Sequence, residues 1–417
     1  MSTVKKVAVI GAGITGVTTA YRLAKKGADV TIFESNSYPA METSYANGGQ
    51  LSASNAEVWN SASTVVKGVG WMFSAGAPLL MNPKPSWHKY SWLAEFVAAI
   101  PNYEKNTVQT VKWALDAREH LVSMAKEEDV RFDREETGIL HFYETKKQFA
   151  VAEKVSALLK KGGLERQPVT PEEIRKIEPN LKGDIYGGFF TKSDFTGDIH
   201  KFSSGLASAC KRCGVEMRMS TSVEKLRTAN GKIEIFSRFD DNRGSSSPGL
   251  AKEVFDSVVV CAGVHSRNLA TMLGDRINIY PVKGYSITVN LEDEDNQNAA
   301  PRTSLLDDNA KLVTSRLGPT RFRVAGTAEF NGYSKDIVWK RIEPMLKWCH
   351  RHFPGMSTES FISWAGLRPM MPNMLPKVGA GNRPGVFYNT GHGHLGWTLS
   401  AATAEIVSEL VTSEVVT

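Results

Sequence analysis

"KVAVIGAGITGVTTAYRLAKKGADVTIFE", residues 6 to 34, decides the fold. It reads as an apolar strand, a turn with Gly11, Gly13 and Gly16 in G-x-G-x-x-G spacing, a helix, and a second strand ending in Glu34. Each part has a physical task in dinucleotide binding. The first glycine makes the tight turn, the second lets backbone approach a pyrophosphate, and the third lets helix pack on strand. A carboxylate at the end of the second parallel strand accepts from ribose hydroxyls and repels the extra phosphate of NADP. The motif alone is common, but strand, turn, helix, strand and acid together specify a nucleotide-binding unit.

FAD and NAD share this fingerprint, so the rest of the chain must choose between them. An NAD dehydrogenase would complete its sheet with regularly alternating strands and helices. Here the second strand is followed by the polar loop "SNSYPAMETSYANGGQLSAS" and a long aromatic-rich excursion. Strand patterns resume near "VEMRMSTSVEKL" and "VFDSVVVCAGVHS", and a last strand and helix lie in "GVFYNTGHGHLGWTLSAATAEIVSEL". One nucleotide-binding sheet is thus expected in pieces across the sequence, as in flavoproteins.

Composition is that of a globular chain. Its 417 residues exceed one ordinary core and point to two domains, and 41% hydrophobic residues suffice for burial. The net charge of +6 contains no dense Lys/Arg run, which argues against a nucleic-acid partner and fits small acidic ligands. Four cysteines make no disulfide framework at this length and suit a reducing compartment. Cys210 and Cys213 form a single C-x-x-C in a helical pattern, with no second pair to complete a metal site. No secretory leader is read at the start, and no apolar run is long enough to span a bilayer. The expected location is the cytoplasm, with peripheral contact on the inner face of the membrane as the further option.

Near the end, "YNTGHGHLGWTLSAATAEIV" (388–407) sets three glycines and two histidines before an amphipathic helix. His392 and His394 suggest zinc, but no further ligand lies at the usual spacing, so no metal is expected. The glycines point instead to a bare helix start, whose unpaired N–H groups attract an anion or developing negative charge. In "FISWAGLRPMMPNMLPKVG", Arg368 stands in an apolar neighbourhood. A guanidinium there needs an anion, and its planar fork suits a carboxylate, either a ligand's or that of a distant Asp or Glu.

The motifs "ETSYANGGQLS", "KSDFTGD", "YPVKGYSIT", "WAGLRPMMPN" and "NTGHGHLGWT", in this order, resemble the D-amino-acid dehydrogenase branch of the FAD-dependent D-amino-acid oxidase superfamily. The similarity runs from end to end. It implies non-covalent FAD held by Gly11, Gly13, Gly16 and Glu34, by Ser44, Asn47, Gly48 and Gln50, by Val223 and Gly263, and by Gly391, Gly393, Leu395 and Gly396. It assigns Arg368 to the substrate's α-carboxylate and Tyr285 to the active site, with packing the competing role for a strand tyrosine. His392 is the candidate to take the ammonium proton, with helix-start packing as its alternative. His394 stands where the family has threonine, and Met371 and Asn373 where it has threonine and aspartate, which puts the accepted side chain in question.

The implied fold is α/β: a Rossmann-like FAD domain (1–65, 195–270 and 360–417) interleaved with an α+β substrate domain (66–194 and 271–359) on a mixed or antiparallel sheet. The implied reaction is oxidative deamination of a D-amino acid to an imine, then 2-oxo acid and ammonia, with electrons passed to a quinone or similar acceptor. Alternatives are an oxidase or dehydrogenase of glycine, D-proline-like or other secondary amino acids, and a non-catalytic dinucleotide-binding scaffold. The segment 63–101 is read as core, cavity wall or membrane-facing surface, the last through its Trp and Phe residues beside Lys67, Lys84 and Lys89. "TPEEIRKIEP" carries a capping box, Thr170 to Glu173, and "RFDDNRGSSSPGL" is read as a flexible hairpin loop.

Overall fold

The structure is a computed structural model that describes residues 4–71, 79–240 and 249–413. The apolar run Lys6–Ile10 lies inside a six-stranded sheet. Across it the order is Lys377–Ala380, Val386–Thr390, Ser257–Val260, Lys6–Ile10, Asp29–Phe33 and Glu216–Arg218. All pairs are parallel except the first. Strands so buried read as continuous hydrophobic runs, which explains "VAVI" and "SVVV". Several neighbours in this sheet, such as Lys6–Ile10 and Ser257–Val260, are far apart in the chain, as the scattered pattern required. Helix Ile14–Lys25 packs on this sheet beside helix Ile199–Arg212 and the final helix Gly396–Ser413.

A three-stranded antiparallel sheet, Thr221–Ala229, Lys232–Phe239 and Ala251–Phe255, adjoins it. The hairpin read in "RFDDNRGSSSPGL" joins the last two strands, and its residues 241–248 lie outside the described residues. The second sheet is nine-stranded and mixed, with Phe361–Met370 at one edge, then Tyr280–Asn290 and Arg321–Phe330, and helix Trp339–His352 packed on one face. The capping box forms: Thr170 Oγ1 accepts from Glu173 N, and Glu173 Oε2 accepts from Thr170 N at 2.8 Å.

The expected domain limits need two corrections. Strand Phe361–Met370 pairs with Tyr280–Asn290 along its whole length, so it belongs to the second sheet although 360–417 was assigned to the first domain. Helix Tyr103–Glu127, placed by sequence in the substrate domain, buries Ala117, Leu121 and Met124 in the core that holds Val9, Ile32 and Trp397. Both segments pair with partners far along the chain, which local pattern does not reveal.

The aromatic excursion divides. Trp92 and Phe96 are core and stack at 5.2 Å, whereas Trp87 is 83% exposed. Lys89 is buried, with Nζ donating to the carbonyls of Asn82 and Lys84, so it offers no cation to a surface. The side chains of Lys67 and Trp71, and Phe73 altogether, lie outside what is described. Cys210 is buried with its thiol on Val17 O, and no metal-ligating cluster occurs among the described residues. Among these residues no helix is long and apolar enough to cross a membrane.

Candidate active site

The glycine turn opens one end of a cavity of about 730 Å³, within the usual range for ligand sites. Gly11 has φ +102°, and a Cβ there would lie 2.8 Å from Cys261 O. A Cβ at Gly16 would run into the Gly11 carbonyl, so this glycine sets the packing of helix on turn and does not itself line the cavity. Gly13 begins the helix without a side-chain cap, and Ser44 Oγ accepts from Ile14 N at 3.0 Å. Glu34 is buried at the strand end. Its Oε2 accepts from Ala12 N at 2.7 Å and its Oε1 from Asn36 N and Nδ2, both at 2.8 Å. Val223 and Gly263 line the same space.

From there the cavity passes Ser44, Asn47, Gly48 and Gln50. Gln50 Nε2 donates to Ser304 Oγ and Leu305 O, tying this loop to the second domain. At the far end, strand Val386–Thr390 turns through Gly391 (φ +79°) and Gly393 (φ +59°) into helix Gly396–Ser413. A Cβ at Gly391 would meet Met371 Cγ at 2.6 Å, and one at Gly393 would meet Met370 Sδ at 2.7 Å. These glycines therefore admit the two methionines of the apolar loop as well as meeting the left-handed backbone. Gly391, Gly393, Leu395 and Gly396 all line the cavity, and no acidic residue occupies the helix's first turn.

Arg368 reaches this end from the second domain. Its Nη1 donates to Thr327 O at 2.8 Å and its Nη2 to Gly326 O at 3.4 Å. Thr327 holds φ +56°, an uncommon conformation for a threonine. Burial pulls the guanidinium pKa down to about 10, so it stays charged near neutrality. No carboxylate of the described residues lies within ion-pair distance, which removes the structural salt bridge as its partner. A half-buried charge that lines the cavity and is held only by carbonyl oxygens is ready for an anion.

Two expected roles find no support in the hydrogen bonds, although Tyr285 and His392 both line the cavity. Tyr285 is 1% exposed and donates to Glu329 Oε2 at 2.6 Å, in a cluster where Lys283 Nζ lies 3.0 Å from Glu329 Oε1. Lys283, Tyr285 and Ile287 point to the helix-covered face of their strand, and Gly284 and Ser286 to the opposite one. The Tyr285 hydroxyl is therefore committed away from Arg368. His392 Nε2 lies 3.0 Å from Thr403 Oγ1, and burial holds its pKa down at about 3. It packs the helix start and is a poor proton acceptor.

His394 lines the cavity as well. Its ring stacks on Trp59 at 4.6 Å and 22°, and neither ring nitrogen has a hydrogen-bond partner of good geometry. Burial first, then the charge of Arg368, hold its pKa at about 3 against the opposing pull of the Asn55 backbone carbonyl. Thr327, Gly284 and Trp59 were not singled out by sequence. The clue for Gly284 was present, a glycine inside an otherwise bulky buried strand.

The cavity thus carries a dinucleotide turn at one end and an unpaired guanidinium beside a bare helix start at the other. The family model described as FAD dependent oxidoreductase (DAO) matches residues 6–410. The chain belongs to the FAD-dependent oxidoreductase family. Among family relatives, "D-amino acid dehydrogenase 3" of Mesorhizobium japonicum is 55% identical over 410 residues, covering 98% of this chain and 97% of the relative. A "D-amino acid dehydrogenase" of Paramagnetospirillum magneticum is 37% identical over 417 residues, covering 97% and 94%. Glycine oxidase from Geobacillus kaustophilus superposes with TM-score 0.75 at 20% identity, covering 98% of this chain and 95% of that one, a likeness of fold. The family's cofactor is FAD, and the chain is a flavoprotein oxidoreductase. The residues fit that group: one continuous cavity joins Gly11 and Glu34 to the helix start at Gly396, lined by backbone that added Cβ atoms would block.

Proposed function

We propose that this chain oxidatively deaminates D-amino acids at the bare helix start beside Arg368. The observation that carries the reading is the half-buried Arg368 guanidinium, unpaired among the described carboxylates, in the cavity that holds the helix start. The names of relatives up to 55% identical support the same substrate class.

FAD supplies the hydride acceptor, and the substrate's α-carbon loses its hydrogen as an imine forms, which water then converts to 2-oxo acid and ammonia. Arg368 receives the α-carboxylate in a paired, charge-assisted contact and so fixes the α-carbon. The N–H groups leading into helix Gly396–Ser413 face the region where negative charge develops, and stabilise it as oxyanion donors do. Trp59, Leu395 and Met370 surround this end with apolar surface and exclude water.

The electrons pass on to a quinone or similar acceptor in this reading, and exposed Trp87 with Lys84 nearby provides a membrane contact. Flotation with anionic lipid vesicles, compared with Trp87→Ser, tests that contact. The catalytic reading is tested by mixing the holoenzyme anaerobically with D- and L-amino acids, glycine and cyclic imino acids and following the flavin's visible band. Bleaching by D-amino acids, lost at equal concentration in Arg368→Ala, is the expected result. A band that stays through the D panel, or bleaches only with glycine, excludes it.

A further inference from the structure

Resting on the D-amino-acid reading, we propose that His394 and Trp59 form the subsite for the substrate's side chain. This subsite takes a compact side chain bearing an uncharged hydrogen-bonding group, foremost a hydroxyl. Four observations carry this assignment.

Both residues line the cavity that Arg368 enters, and their rings stack at 4.6 Å, so the imidazole plane is fixed. The other inward histidines are already bonded: His392 to Thr403, His141 to Ser54 and His352 to Lys182 O. His394 alone of these four has no hydrogen bond of good geometry at either ring nitrogen: the Asn55 backbone carbonyl only favours its N–H, and a buried nitrogen left without a partner is costly until something fills the space. Its ring is neutral at working pH, offering one N–H donor and one nitrogen acceptor.

The alternatives fit less well. A cationic side chain beside His394 would meet the field of Arg368, which already acts on this ring. An anionic one would compete with the α-carboxylate for the same guanidinium. A purely apolar one would leave both nitrogens unpaired. Among the carboxylates that line the cavity, Glu57 stands two residues from Trp59 and already accepts from the Tyr103 hydroxyl. A hydroxyl can donate to the bare nitrogen or accept from the N–H, and a site built to bond a hydroxyl rejects the analogue that lacks it.

The test uses matched pairs on the FAD-loaded enzyme: D-serine against D-alanine, D-threonine against D-valine, and 4-hydroxy-D-proline against D-proline. Wild type is expected to favour at least one hydroxylated member by about tenfold or more in kcat/KM. His394→Phe keeps the stack and removes both nitrogens, and should bring that ratio to within about threefold with FAD content unchanged. His394→Gln, which restores a donor and an acceptor, should recover part of the preference. Ratios equal in wild type and His394→Phe, with bleaching by D-amino acids intact, overturn this inference and leave the catalytic reading standing. A flavin band already shifted in His394→Phe without substrate also overturns it, because the imidazole then serves the cofactor. No bleaching by any D-amino acid removes both readings.

Discussion

Gly284 lies directly under the guanidinium of Arg368, so closely that a Cβ at 284 would overlap its Nη1, Cζ and Nη2 atoms. The strand has no side chain at the one point where the cation must lie flat. Because the obstructed atoms are the far end of a flexible side chain, Gly284→Ala should move Arg368 and leave the fold intact. KM for the amino acid is expected to rise about tenfold or more with FAD content and melting temperature nearly unchanged. Steady-state kinetics beside a thermal melt decide it, and an unchanged KM would place the carboxylate elsewhere.

Tyr285→Phe separates packing from catalysis. Removing the hydroxyl deprives Glu329 of a buried donor while Lys283 remains, so stability should fall by about 1–2 kcal/mol. Turnover at saturating substrate should stay within about threefold of wild type. A large loss of kcat with normal stability would restore the active-site role that sequence gave this residue.

His392 makes folding depend on pH. An unfolded histidine titrates near 6.5, but the folded site holds it unprotonated to about 3. Between those values the unfolded chain binds the extra proton, so this contribution is complete above about pH 6.5 and is lost as pH falls below it. His392→Gln keeps a partner for Thr403 and cannot titrate. Its stability should decline less than that of wild type between pH 6.5 and 5, by about 1 kcal/mol. Denaturant melts at the two pH values measure the difference, and parallel losses would show that the imidazole is protonated in the folded state.

Gly16→Ala tests the nucleotide end. The added methyl meets the carbonyl of Gly11, a backbone atom that cannot step aside, so the turn must deform. Purified protein should carry far less FAD than wild type, by absorbance per chain, and should melt at lower temperature in the holo state. Full FAD occupancy would mean that the helix can shift to absorb the methyl.

The nucleotide-binding unit was legible because its physics is contiguous: strand, glycine turn, helix and acid follow one another from Lys6 to Glu34, and each fits only one arrangement. The bare helix start after Gly391 could be read for the same reason. Arg368 stood out through its apolar surroundings, and the structure supplied the missing half, carbonyls of Gly326 and Thr327 instead of an acid. Tyr285 misled because its partner Glu329 comes from another strand, past an extra residue of Arg321–Phe330 near Thr327 that short-range pattern does not reveal. Strand Phe361–Met370 was assigned to the wrong sheet because its register with Tyr280–Asn290 is a long-range fact. His394 was visible as a departure from the family pattern, but its lack of partners depends on the three-dimensional surroundings.

The strand that carries Arg368 ends at Met370, and Met370 forms a β-bridge with His392 at the helix start. The substrate anchor thus moves with the second sheet and the glycine turn with the first, yet one backbone bridge fastens them to each other at the reaction centre. Any swing of one sheet against the other would have to pivot close to that bridge. Substrate could then enter through motion at the cavity's rim while the gap between guanidinium and helix start keeps its length, much as a door opens widely at its edge and hardly at its hinge.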